Sequence, residues 1–139
     1  MTALHDLPAQ DLLAAYRQRT LSPMEVTQAV LAHMERWEPH IRATYLLRPE
    51  HALAQARASE ARWLRGEPQG LLDGVPVTIK ENIATQGDPT PLGTAAVPLV
   101  PAAADAPPAA RLREAGAVMV AKTTMPDYGM LSSGLSSFH

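Results

Sequence analysis

The sequence predicts a protein of the α/β class, in which N-terminal helices precede the first strands of a sheet. Three observations support this class. Residues 22–37 carry apolar side chains at the three- and four-residue spacing of an amphipathic helix. Residues 75–80 alternate apolar and polar side chains, which is the period of a strand. An apolar run at 117–122 follows a short helix, so that a strand, a helix and a second strand form one unit.

Composition indicates one globular domain and argues against several functions. The chain has 139 residues, 46% hydrophobic and 19% charged, which is enough to bury a single core. A net charge of −2, without a basic run interleaved with aromatic residues, argues against nucleic-acid binding. The absence of cysteine excludes disulfides, a thiolate nucleophile and Cys-ligated zinc, and favours a cytoplasmic location. The sequence predicts neither a secretory signal nor a membrane span.

The first 65 residues are predicted to form three helices and one short strand. Ser22 and Glu25 have the spacing of a capping box at the start of the second helix, and Pro39 is expected to end it. Met34 and Trp37 continue its apolar stripe, which we assign to the core rather than to a ligand groove. The helices cover residues 8–19, 23–37 and 49–65, and the strand covers 43–48.

Lys80 ends the strand that opens after an Asp73-Gly74 turn, and a loop rich in Gly, Pro and Thr follows it at once. Open α/β sheets bind ligands beyond the carboxyl ends of their strands. Lys122 ends the next strand, after a helix that Asp105 is predicted to cap and that Gly116 is predicted to end in the left-handed conformation. Because such crossovers join parallel strands, we expect both lysines to converge at one edge of the sheet. Spacing alone does not choose between the two lysines.

Other kinds of site find little support in the sequence. The five histidines lack the i, i+4 pairing of helical zinc sites, so no metal is predicted. A Ser-His-Asp triad could be assembled from Ser132, His139 and Asp127. No G-x-S-x-G pattern frames a serine in the sequence, however, so this triad is not predicted. The two glycine patterns that commonly bind phosphate, G-x-x-x-x-G-K and G-x-G-x-x-G, do not occur in the sequence, and no cofactor is expected.

The second half of the chain contains two long motifs, one after the other. LLDGVPVTIKENIATQG covers residues 71–87, and DAPPAARLREAGAVMVAKTTMPDYGMLSSG covers residues 105–134, with Gly93-Thr94 between them. In these motifs the chain resembles the amidase signature enzymes. The resemblance implies a mixed, mostly buried central sheet, here incomplete. Residues 1–139 would be the N-terminal part of a single amidase domain, with 1–70 as a mainly helical lead-in and 71–139 as the start of the α/β core.

The resemblance also implies roles for individual residues. The family's catalytic centre contains a lysine, a serine in a cis peptide bond and a nucleophilic serine, and Lys80 matches that lysine. Lys122 matches a lysine that is usually regarded as structural. Met130 and Ser132 match a loop that approaches the substrate from the side opposite the nucleophile. Both catalytic serines belong to a segment that the family places beyond residue 139. Glu81 stands where the family often has Asp.

The implied function is hydrolysis of a small-molecule carboxylic amide to an acid plus ammonia or an amine, through an acyl-serine intermediate. Lys80 would be the general base, and the chain by itself is expected to be inactive without the serines. The A subunit of a tRNA-dependent amidotransferase is an alternative within the family.

Two further alternatives come from outside catalysis. The chain could serve as a binding or interaction module, docking onto a partner or onto the missing C-terminal part of its own domain. It could also bind anions, with Lys80 and Lys122 as point charges. A homo-oligomer is compatible with all of these hypotheses.

Overall fold

The computed structural model describes residues 3–139. Within this range a helical N-terminal half leads into a small mixed sheet, as the sequence predicts. Two short 3₁₀ turns, Leu4–Asp6 and Asp127–Gly129, lie near the two ends. The main elements are α1 (Ala9–Gln18), α2 (Pro23–Ile41), β1 (Thr44–Leu47), α3 (Pro49–Arg65), β2 (Pro76–Lys80), α4 (Pro107–Glu114) and β3 (Val118–Thr123).

Helix α2 starts where the sequence predicts and ends later. The Ser22 hydroxyl accepts a hydrogen bond from the Glu25 amide at 3.2 Å, and the Glu25 carboxylate accepts one from the Ser22 amide at 2.8 Å. The expectation that Pro39 ends the helix is wrong, because α2 continues to Ile41. Pro39 lies in the last turn, where the loss of one N–H donor removes a single bond and the following bond, from Arg42 N to the Glu38 carbonyl at 2.9 Å, still forms.

The sheet has the strand order β1-β3-β2, with β3 in the centre. Strand β2 runs parallel to β3, and β1 runs antiparallel to it, so the sheet is mixed. Helices α2 and α3 cover β3 through a core cluster of Leu31, Ala52, Ala56, Val118 and Val120. A second cluster joins α1, α2 and α3 through Leu12, Tyr16, Val26 and Trp63. Met34 packs against the first cluster as expected, whereas Trp37 is 44% exposed beside a groove between α2 and β2 and is not a core residue.

The turn before β2 is anchored by a buried ion pair. The Asp73 carboxylate is fully buried and accepts two hydrogen bonds from the Arg62 guanidinium, at 2.6 and 2.9 Å. On the other side of the turn, the Gly74 amide donates to the Gly116 carbonyl at 3.0 Å, next to the start of β3. The Tyr16 hydroxyl donates to the Gly74 carbonyl at 3.1 Å, and burial raises the pKa of Tyr16 above its ordinary value. These bonds hold the starts of β2 and β3 together.

Helix α4 ends as predicted but begins differently. Gly116 follows it with a φ of +82°, the left-handed conformation that the sequence predicts after this helix. Asp105 does not cap the helix, because the N-cap position is taken by Ala106 and no side chain bonds there. The Asp105 carboxylate instead accepts from the Gln86 amide at 2.7 Å and from Arg113 Nε at 2.6 Å. It therefore ties the loop after β2 to α4.

Candidate functional site

The two lysines lie at the same edge of the sheet but on opposite faces. Both are near the carboxyl ends of parallel strands, as the crossover argument predicts. In the register of these strands, however, Ile79 is opposite Lys122, and Lys80 is opposite Thr123. Residues that pair across parallel strands share a face, and successive residues alternate between faces. The two lysines therefore share the predicted edge but lie on opposite faces, so the pair does not form one anion site.

Lys122 is a buried lysine with a structural contact. Its side chain is among the buried polar groups, at 3% residue exposure, and its amine donates to the Ile83 carbonyl at 3.0 Å. Burial lowers the pKa of Lys122 below the ordinary lysine value, while the nearby carboxylates of Asp88 and Glu81 oppose that shift. The amine therefore supports the loop that follows β2.

Lys80 is exposed at the last position of β2. Among the described strands, β2 pairs with β3 on one side, and its other side is an edge of the sheet. The next residue, Glu81, is fully buried, and its amide donates to the Thr123 carbonyl at 3.0 Å. The backbone at the end of β2 is thus held in place on β3 while the Lys80 side chain reaches solvent.

The Glu81 carboxylate contacts two segments that are distant in sequence. One oxygen accepts a hydrogen bond from the Gly93 amide, and the other contacts Nε2 of His139. Gly93 has a φ of +68°, and a Cβ there would clash with the Pro126 carbonyl oxygen, so the position requires glycine. The amide of Tyr128 also donates to the Leu92 carbonyl at 2.8 Å. The loop after β2 and the segment after β3 are therefore packed together at Glu81.

Met130 and Ser132 lie in an exposed loop that is closed at its base. Met130 is 80% exposed, and Ser132 is also exposed. Below them, the Asp127 carboxylate accepts hydrogen bonds from the amide of Ser137 at 2.8 Å and from its hydroxyl at 2.5 Å. These hydrogen bonds lower the pKa of Asp127. We call residues 127–137 the clasped loop.

The triad of Ser132, His139 and Asp127 does not form in the structure. Asp127 bonds Ser137 rather than a histidine, and His139 contacts Glu81 rather than Ser132. The Tyr45 ring lies 5.6 Å from the Phe138 ring and 5.5 Å from the His139 ring, with edge-on geometry. These contacts fix the residues after the clasped loop against β1.

Sequence reasoning did not assign a site role to Glu81 or to Asp127. The partners of Glu81 are 12 and 58 residues away, so no local period marks them. The one available signal was that Glu81 directly follows a lysine at a strand end. Across residues 3–139 no group of three His, Cys, Asp or Glu side chains could hold a metal ion. The same residues include no helix with the length and apolar character of a membrane span.

Comparison with known proteins identifies the family. The family model described as Amidase matches residues 25–139, which is most of the chain. The chain belongs to the amidase signature family. Its residues are 39% identical over 133 positions to the A subunit of glutamyl-tRNA(Gln) amidotransferase from Chloroflexus aurantiacus, a match that covers 96% of this chain and 27% of that protein. They are 38% identical over 125 positions to the putative amidase AmiD of Mycobacterium bovis, covering 90% and 26%.

The fold agrees with this assignment. The X-ray structure of native peptide amidase from Stenotrophomonas maltophilia matches with a TM-score of 0.80 and 30% sequence identity, over 88% of this chain and 26% of that one. The predicted amidase signature fold is therefore confirmed. In each comparison the chain spans about a quarter of the relative's length.

Proposed function

We propose that this amidase family member hydrolyses carboxylic amides through an acyl-serine intermediate, with Lys80 as the general base. The observation that supports this role is the position of Lys80, which is accessible at the carboxyl end of β2 while its neighbour Glu81 anchors the backbone. Open α/β sheets place their chemistry at this edge. In the same proposal, residues 1–139 are the N-terminal part of a single amidase domain, with the α/β core starting near residue 71.

The proposed reaction needs a neutral lysine amine and two serines. The nucleophilic serine gives its proton through the second serine to Lys80 while its oxygen attacks the amide carbonyl. The Lys80 ammonium then returns the proton to the leaving nitrogen, and water hydrolyses the acyl-serine. Met130 and Ser132 would contact the substrate from the side opposite the nucleophilic serine. Both serines lie outside residues 1–139, so the chain alone is expected to show no turnover.

A chimera tests this proposal directly. Residues 1–139 would replace the matching quarter of the Stenotrophomonas maltophilia peptide amidase, and amide hydrolysis would be followed as released ammonia or amine. We expect the chimera to turn over and the 139-residue chain alone to show none. Serine-dependent hydrolysis by the isolated chain would contradict the proposal, and so would an inactive chimera whose circular dichroism and unfolding transition match those of the parent enzyme.

A second candidate function is that of an amidotransferase A subunit, which the 39% identity to the Chloroflexus protein favours. Such a protein is expected to pass ammonia to an acceptor within an assembly. Amide hydrolysis that rises when the other components of an amidotransferase are added would support it. Hydrolysis unaffected by such partners would favour a free-standing amidase.

A non-catalytic binding module is supported by two surfaces. The outer edge of β2 is unpaired within residues 3–139, and an apolar groove of about 680 Å³ lies between α2 and β2. Both would suit docking onto the rest of the same domain or onto a second copy of the chain. Restored hydrolysis on mixing with a separately expressed C-terminal part would assign the surfaces to domain assembly.

The cysteine-free sequence leads us to place the protein in the cytoplasm.

A further inference from the structure

We infer that Glu81 is a positioning residue, whose buried carboxylate couples the strand end that carries Lys80 to the clasped loop that carries Met130 and Ser132. The inference extends the proposed function, because it gives the relative placement of these groups a physical cause. It starts from burial. Glu81 is fully buried, and a carboxylate removed from water needs hydrogen-bond partners to offset its desolvation.

Both partners of the carboxylate belong to segments that are distant in sequence from the end of β2. The Gly93 amide comes from the loop after β2, and His139 Nε2 comes from the residues just after the clasped loop. The two carboxylate oxygens thus hold one segment each. Because Glu81 follows Lys80 directly, a shift of either segment is transmitted to the end of β2.

The clasped loop adds a second connection between the same segments. The Ser137 hydroxyl lies 3.2 Å from the Ala95 amide, which donates to it, and donates in turn to Asp127 at 2.5 Å. The loop after β2 is therefore bonded to the clasped loop at Ala95 and to Glu81 at Gly93. This arrangement leaves the tip with Met130 and Ser132 exposed while its base is fixed relative to Lys80.

Amide hydrogen exchange on the 139-residue chain tests the coupling without requiring activity. In Glu81→Ala we expect exchange at the Gly93 and Ser137 amides to rise about tenfold or more, because the Gly93 amide loses its acceptor and the segment of Ser137 loses its anchor through His139. The amides of β3 are expected to stay within about twofold of the wild-type rates. Glu67→Ala is the matched control, because Glu67 is an exposed carboxylate that pairs with Arg65 at the surface. It should change none of these rates.

Two further variants separate the two arms and cover the case in which Glu81→Ala does not fold. Glu81→Gln keeps an oxygen that accepts from Gly93, so protection there is expected to recover while protection at Ser137 remains reduced. His139→Ala should raise exchange at Ser137 and leave Gly93 unchanged.

Three results would overturn the inference. The first is wild-type exchange at both amides in the folded Glu81→Ala chain. The second is a uniform rise that includes β3, which would make Glu81 a general stabilising residue. The third is a His139→Ala or Glu81→Gln chain that affects both arms equally. None of these measurements depends on catalysis by Lys80, so an inactive chimera would leave the inference standing.

Discussion

Lys80 and Lys122 both lie near the carboxyl ends of parallel strands in one sheet. They are one position apart in the register, and this difference gives them different environments. Lys122 is opposite Ile79, is buried and donates to the Ile83 carbonyl. Lys80 is opposite Thr123 and reaches solvent. The position of a residue along its strand decides which edge it reaches. Its odd or even place in the register decides which face it occupies, and the face decides whether its amine is buried or reaches solvent.

The comparison also shows that the lysine with the lowered pKa is not the accessible one. A lowered pKa is a property that a lysine base needs, and burial gives it to Lys122. The buried amine of Lys122 is nevertheless occupied by a backbone carbonyl. Lys80 is accessible, and it is the lysine that we propose as the base.

The largest expected difference between the two lysines is in turnover. In the chimera, Lys80→Met removes the proposed base, and we expect kcat to fall by about 10²- to 10⁴-fold with little change in stability. Lys122→Met in the same chimera is the matched control, and its kcat is expected to stay within about tenfold of the unmodified chimera. Steady-state kinetics and a thermal unfolding scan of both variants check this. Equal losses in the two variants would remove the distinction between them.

The next largest effect concerns the anchor that holds the starts of β2 and β3 together. Asp73→Ala leaves Arg62 without its buried partner, and we expect the free energy of unfolding to fall by about 3 kcal/mol. Asp6→Ala, at an exposed carboxylate, is the control and should change it by less than about 0.5 kcal/mol. Urea titration monitored by circular dichroism measures both.

The same anchor should depend on pH in a defined direction. Burial alone raises the pKa of Asp73, but hydrogen bonds from Arg62 and from the Gln69 amide outweigh it and hold the pKa below its usual range. The stability from Asp73 is therefore present above the unfolded-state value of about 4 and is lost as the pH falls through the folded-state value. Asp73→Ala should show a weaker loss of stability in acid than the wild-type chain. An unchanged acid dependence would show that other carboxylates cause it.

The smallest expected effect is on the stability of Lys122→Met at neutral pH. The variant removes one hydrogen bond to the Ile83 carbonyl, but it also removes a buried cation, so the change should be under about 1 kcal/mol. The sign of its pH dependence is more informative. Because the folded pKa lies below the unfolded one, the wild-type chain gains stability as the pH rises from the folded value towards about 10.

This gain should be absent in Lys122→Met. Urea titrations between about pH 7 and about pH 9 check it, a range that ends below the unfolded-state tyrosine pKa of about 10. Tyr16 acts in the opposite direction at higher pH, because its raised folded pKa makes the unfolded chain lose its proton first. The same slope in wild type and Lys122→Met would contradict the environment described for Lys122.

Local chemistry explains which elements could be predicted from the sequence. The capping box at Ser22, the strand ending at Lys80 and the left-handed Gly116 each depend on a few neighbouring residues, and the structure has all three. The two errors at element ends, Pro39 and Asp105, have a common origin. Each residue has a strong local preference, but Pro39 falls where a missing donor costs little, and Asp105 finds better partners in Gln86 and Arg113.

By itself, the sequence determined the α/β class, the order of helices and strands, the resemblance to the amidase signature enzymes, and the edge at which the two lysines lie. These properties follow from periodicity and from motifs that are contiguous in the chain. Only the tertiary structure decided the face that each lysine occupies and the partners of Glu81. The first depends on the register between separate strands, and the second joins residues up to 58 positions apart, so neither leaves a local pattern.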